Sequence, residues 1–145
     1  MTRDVIALAS DHAGVEMKSA LKEAARVRGL EVLDLGAHDE AGSVDYPDMA
    51  DALAAAMADG RADRGVLVCG SGIGISIAAN RHRHLRAALC HTAEAARLAR
   101  QHPAATVLAM GARVIGPETA RECLEAFLDT AFEGGRHARR VEKLG

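Results

Sequence analysis

The chain has 145 residues, of which 49% are apolar, 26% charged and only 2% aromatic, with a net charge of −2. This fits one compact domain over residues 1–145 with an ordinary core, and it excludes wholesale disorder. Near-neutral charge gives no general pull toward nucleic acid or an anionic membrane, scarce aromatics leave no stacking platform for single strands, and no apolar run approaches the ~20 residues of a membrane span.

In chain order, the apolar run 5–9 reads as a buried strand ending in Ser10-Asp11-His12. Met17, Ala20, Leu21, Ala24 and Val27 recur at helical spacing and predict a helix over 15–27, stopped by Gly29. Residues 30–35 form a second strand closed by Gly36. A polar loop leads to Tyr46-Pro47, where proline suits the first turn of a helix that carries Met49, Ala50, Leu53, Ala54 and Met57 inward and ends near Gly60. The third strand is 65–69, followed by a helix that begins within 72–75 and reaches Asn80. A fourth strand spans 86–90, a helix runs from Thr92 or Ala93 to Arg100 before Pro103, and a fifth strand spans 106–110. A long helix is predicted from Pro117 to Phe132, stopped by Gly134-Gly135, and a short basic helix from Arg136 to Leu144.

Short apolar strands alternating with helices predict an α/β fold: a Rossmann-like three-layer α/β/α sandwich on a five-stranded parallel sheet, with a short C-terminal helix. Ligands of such folds sit beyond the carboxyl ends of the strands. Here those ends carry Asp11-His12, Gly36, Cys69-Gly70-Ser71, Cys90-His91 and Gly111-Ala112-Arg113. The widely spaced Cys69, Cys90 and Cys123 make neither a disulfide framework nor a CxxC pair, and predict free thiols in a reducing cytoplasm. Arg3-Asp4 followed by a short apolar run does not make a signal peptide.

The stretch LVCGSGIGISIAAN, residues 67–80, resists the usual glycine-loop readings. Gly70, Gly72 and Gly74 put the third glycine one place early for a dinucleotide fingerprint, and no lysine follows Gly74 as a Walker A loop requires. Ile75 stands where a cysteine phosphatase would carry arginine. What remains is a strand end, glycines whose amides can turn inward, and a helix N-terminus: an anion hole beside a thiol able to act as a base. The same spacing also fits a plain strand–turn–helix junction with a buried structural cysteine.

Asp11 and His12 suit either a helix cap and loop histidine or an orienting carboxylate and an anion-binding or proton-shuttling imidazole. His102 stands at a helix end. Arg136 and Arg140 are four apart, so a helical tail puts both guanidiniums on one face, a fork for phosphate or a solvated basic end. Arg81, His82, Arg83, His84 and Arg86 read as a solvent-facing basic loop. His82 and His84 have no evident carboxylate or cysteine partner, so no metal site is expected.

SDHAG after the first strand, then DYP, CGSGIGISIAANR, RQH, GARVIG and a terminal EGGRHxxRV occur in this order along nearly the whole chain. Together they resemble the type B ribose-5-phosphate isomerase family, which also contains the galactose-6-phosphate isomerase subunits. The resemblance implies a cofactor-free aldose–ketose isomerase working through a cis-enediolate on a phosphorylated sugar. It implies Cys69 as the base that moves the proton between C1 and C2. Some members place that base on a glutamate six positions on, where this chain has Ile75. Ser71 takes the hydroxyl position beside the base, and the amides of Gly70, Gly72 and Gly74 contribute the anion hole. Asp11 and His102 would open the furanose ring, Tyr46 would line the sugar site, and His12, Arg113, Arg136 and Arg140 would hold the phosphate. Sites of this family form between two subunits, which implies a homodimer or a dimer of dimers with shared active sites. One departure stands out. The family usually has Asn after the ring-opening histidine; this chain has Pro103, which offers neither a backbone N–H nor a side-chain amide. That opens the reading to another sugar phosphate, such as allose 6-phosphate, or to a non-catalytic phosphosugar-binding module.

Overall fold

The computed structural model describes residues 4–39 and 42–145, so Arg3 lies outside the described residues. The elements are β1 (Val5–Ser10), α1 (Val15–Val27), β2 (Glu31–Asp34), α2 (Tyr46–Ala58), β3 (Arg64–Cys69), α3 (Ile73–Asn80), β4 (Ala87–Leu89), α4 (Ala93–Gln101), β5 (Val107–Gly111), α5 (Pro117–Asp129) and α6 (Arg136–Leu144). The five strands form one parallel sheet in the order β2-β1-β3-β5-β4.

Side-chain alternation along the strands builds both cores. Ile6, Leu8, Val66, Val68, Leu108 and Met110 point to one face, where they meet Met17 and Leu21 of α1, Ala96 and Ala99 of α4, and Leu124 and Phe127 of α5. Ala7, Ala9, Leu67, Cys69, Val107 and Ala109 point to the other, against Ala50 and Leu53 of α2 and Ile75 and Ala79 of α3. The central strands β1, β3 and β5 are therefore buried on both faces, as their unbroken apolar runs require. The edge strands β2 and β4 are only half-buried.

Helix α5 departs from its predicted length, ending at Asp129 rather than Phe132. Thr130 is extended (φ −103°, ψ 127°), and its hydroxyl donates to the Ala126 carbonyl at 2.6 Å, where a helical amide would otherwise bond. Arg100 Nε takes the Thr130 carbonyl at 3.4 Å, and the Glu133 amide donates to the Gln101 carbonyl at 3.1 Å. These contacts draw residues 130–135 onto the end of α4 before α6 begins.

One charged pair sits inside. Lys18 of α1 is 2% exposed and donates to Asp34 Oδ1 at 2.5 Å, with Lys22 at 3.3 Å from Oδ2. Burial pushes the Asp34 carboxyl up. The hydrogen bonds from Lys18, the Gly36 amide and Lys22 outweigh burial and hold its pKa below the ordinary 3.8. The pair ties α1 to the loop beyond β2. That loop is stitched to β1 by Ser10 N to Gly36 O and Ala37 N to Ser10 O, each 2.7 Å.

Candidate active site

The chain leaves β1 toward β2 on one side and reaches β3 on the other, so the loops beyond β1 and β3 diverge and open a crevice. The Asp11 amide donates to the Val68 carbonyl at 3.1 Å, the Ala112 amide to the Cys69 carbonyl and the Arg113 amide to the Gly70 carbonyl, both at 2.9 Å. These bonds bring the ends of β1, β3 and β5 together around Cys69.

Cys69 ends β3, is 4% exposed, and its sulfur accepts a hydrogen bond from the Gly72 amide at 3.2 Å. Gly72 has φ +79°, and a Cβ there would lie 2.6 Å from Leu89 and 2.7 Å from the Met110 backbone, so only glycine lets the chain turn in this space. Ser71 Oγ accepts from the Ile73 amide at 3.1 Å, which leaves its own proton free to donate. Gly74, in the first turn of α3, permits a second approach: a Cβ on it would lie 2.6 Å from Tyr46 Cζ, so the tyrosine ring rests on the start of α3. A Cβ on Gly70 would come within 3.2 Å of Arg113 Nη1, which places that guanidinium beside the loop. His12 Nδ1 accepts from the Val44 amide at 3.1 Å, and Asp11 Oδ1 caps the turn after β1 through the Ala13 amide at 3.0 Å. Of the twelve residues singled out from sequence, nine — Asp11, His12, Tyr46, Cys69, Gly70, Ser71, Gly72, Gly74 and Arg113 — thus lie at or beside the carboxyl ends of β1, β3 and β5.

The other two thiols have a different character. Burial, then the Cys123 thiol, pushes Cys90 up to about 11. Burial, then Glu122, raises Cys123. Both face the α1/α4/α5 core and stay protonated at neutral pH.

The remaining three residues, His102, Arg136 and Arg140, stand elsewhere. Cys69 pairs with Gly111 at the far end of β5, whereas His102 precedes the start of that strand at Val107. The strand alone spans about 13 Å at roughly 3.3 Å per residue. Within one chain, His102 and the α6 arginines therefore do not reach the Cys69 crevice. His102 and Arg140 line instead a hollow of about 250 Å³ together with Pro103, His137, Val141 and Leu144, and Arg136 stands at the start of α6, next to His137 in the chain. There the His102 and His137 rings stack with centroids 4.2 Å apart and planes 12° off parallel. Glu133 Oε1 lies 3.7 Å from His102 Nε2 and 3.5 Å from His137 Nε2.

Among the described residues, these three donor atoms, all within 4.8 Å of one another, form the one cluster with the composition of a metal site. Near-parallel rings aim their lone pairs side by side rather than at one point, and Arg136 and Arg140 add positive charge at His137. Those features suit a proton-holding cluster better than a cation site. Sequence reading missed Glu133 and His137. They are four residues apart, but Gly134-Gly135 breaks the helix between them and His102 is remote in sequence. It also missed that His82 Nε2 meets Asp51 Oδ1 at 2.7 Å, so this histidine does have a carboxylate partner. His84 instead turns its Nε2 to the Ala54 carbonyl at 2.9 Å, so the two do not converge. His91, two residues beyond β4, accepts on its Nε2 from the Gly111 amide at 3.0 Å.

A family model described as Ribose/Galactose Isomerase matches residues 6–144. The chain is 43% identical to ribose-5-phosphate isomerase B of Escherichia coli over 96% of its length and 93% of that protein. It is 44% identical to D-erythrulose-4-phosphate isomerase of Pectobacterium atrosepticum over 97% of its length and 92% of that protein. The crystal structure of a ribose 5-phosphate isomerase from Thermotoga maritima superposes with a TM-score of 0.94 at 47% identity, covering 99% of this chain and 98% of that one. No described helix is long and apolar enough to cross a membrane.

Proposed function

The chain belongs to the ribose/galactose isomerase family, and on that premise we propose that this sugar-phosphate isomerase interconverts ribose 5-phosphate and ribulose 5-phosphate with Cys69 as its base. The sulfur takes the proton from C2, the electron pair moves through C1–C2 onto O1, and a cis-enediolate forms. The thiol returns the proton to C1, O2 gives up its own proton to become the ketone oxygen, and O1 is protonated. The observation that supports this assignment is the Gly72 amide at 3.2 Å from the Cys69 sulfur, within a glycine turn that opens α3. Donors there can hold the enediolate oxygen, with the Ser71 hydroxyl beside it. His12 and Arg113 hold the phosphate from the same chain.

A second copy of the chain completes the site by setting its His102, Arg136 and Arg140 against the first copy's Cys69. His102 then opens the furanose ring with Asp11, and the two arginines grip the phosphate. Two observations bear on the choice of sugar. In a tetrose 4-phosphate, O4 carries the phosphate and no furanose can close, so a ring-opening histidine has no task. The Glu133–His102–His137 array therefore favours a cyclic aldose phosphate. Pro103 in the wall of that hollow favours, as a second reading, a larger aldose phosphate such as allose 6-phosphate.

Measuring kcat/KM on ribose 5-phosphate, erythrose 4-phosphate and allose 6-phosphate decides between them. The expected order puts ribose 5-phosphate first. A tenfold preference for either other sugar ends the ribose reading. No isomerisation, together with no solvent-deuterium exchange at C2 of any bound sugar phosphate, leaves only a binding module.

A further inference from the structure

Glu133 and His137 are unassigned by the reading above, yet both touch the histidine it relies on. We infer that they are positioning residues for His102: Glu133 fixes which ring nitrogen carries the proton, and His137 holds the ring plane. The inference rests on His102 as the ring-opening group.

Three observations carry it. The Glu133 amide donates to the Gln101 carbonyl at 3.1 Å, so the residue before His102 is locked to Glu133 through the main chain. That bond sets the Glu133 carboxylate 3.7 Å from His102 Nε2, and a carboxylate there favours the proton on Nε2 and leaves the lone pair on Nδ1. The buried His137 ring lies 4.2 Å from the His102 ring and nearly parallel, which restricts its tilt.

The charges around the pair fit these roles. His137 faces His102 from α4, and Glu133, Arg136 and Arg140 from its own segment. Arg100, the nearest cation on α4, is turned away onto the Phe127 ring and the Ala105 and Thr130 carbonyls. Burial, then the charges of His102 and Arg136, lower the His137 pKa, against which Glu133 acts alone. A neutral His137 can stay stacked on His102 whether His102 is charged or not. Two imidazoliums at that spacing would repel.

The chemistry supplies a selective test. Ribulose 5-phosphate has its phosphate on O5 and cannot close a furanose, so exchange of its C1 hydrogen with solvent deuterium needs the base but no ring opening. Glu133→Gln and His137→Ala are expected to slow conversion of ribose 5-phosphate by about 10- to 100-fold. Both variants should leave C1 exchange of ribulose 5-phosphate within about twofold, and His137→Phe, which keeps a flat face, should recover most of the loss. Loss of both rates together, or of neither, overturns the inference. A second readout does not depend on activity: imidazole ¹⁵N shifts should place the His102 proton on Nε2 in the wild type and move it toward Nδ1 in Glu133→Gln. If the wild-type protein turns over no sugar phosphate, the functional reading fails by itself. An unchanged His102 tautomer in the variant then overturns the positioning role independently.

Discussion

The amide of Gly72 points at the sulfur of Cys69 across 3.2 Å, and that contact exists only because Gly72 holds φ +79°. The turn thus does two things with one residue. It directs the chain from β3 into α3, and it aims a donor at the atom proposed to carry the proton.

Cys69→Ala removes the base while keeping the turn. The expected result is a fall in kcat on ribose 5-phosphate of about 10²- to 10⁴-fold, the usual contribution of a positioned acid–base group. The KM and the affinity for inorganic phosphate should change little, since His12 and Arg113 are untouched. Turnover at the wild-type rate would remove Cys69 from the mechanism.

The loop glycines should separate stability from activity. Gly72→Ala strains a left-handed residue and drives its Cβ to 2.6 Å from Leu89 and 2.7 Å from backbone, so urea titration should show a loss of about 2 kcal/mol or more. Gly74→Ala meets only the Tyr46 ring, which is 40% exposed and can swing away. Its helical position gains up to about 1 kcal/mol from alanine, so stability should hold or rise while KM for the sugar phosphate increases. A stability loss in Gly74→Ala as large as in Gly72→Ala would refute the distinction.

Asp34 makes stability depend on acid. Its pKa is lowered in the folded chain, so the unfolded chain takes up a proton first as pH drops. The stabilisation is fully present above the ordinary value of 3.8 and is lost as pH falls through the lowered native value. Asp34→Asn leaves the Lys18 ammonium buried without its carboxylate and should cost about 3–5 kcal/mol near neutral pH. Lys18→Met, which leaves Asp34 with Lys22, should be close to neutral. Chemical denaturation of the three proteins between acid and neutral pH checks both the size and the sign.

Pro103 offers its carbonyl to Arg86 Nε at 2.9 Å, while its ring lines the hollow beside His102. Pro103→Asn keeps that carbonyl and adds amide donors. If ribose 5-phosphate is the sugar, one recovered hydrogen bond should raise kcat/KM by about 3- to 10-fold with little change in melting temperature. A gain confined to allose 6-phosphate would shift the substrate assignment instead.

The elements and the inward faces of the helices were legible in the sequence. Apolar runs and a 3.6-residue period depend on neighbours only a few residues away, so 5–9 and 65–69 read as buried strands, and Met17 and Leu21 marked the buried side of α1. The glycine loop was legible for the same local reason, because Cys69, Gly72 and Gly74 lie within six residues. The end of α5 was not, since Arg100 and Gln101, about thirty residues away in the chain, take up the groups at Thr130 and Glu133. Packing across the sheet is what sets Asp11, Cys69 and Arg113 at neighbouring strand ends while His102 and Arg140 stand toward the other end of β5. Strand order and the direction of each crossover set those distances, and they are fixed by packing between residues far apart in sequence. The same packing brought Glu133 and His137 to His102, a relation with no period for a sequence to display.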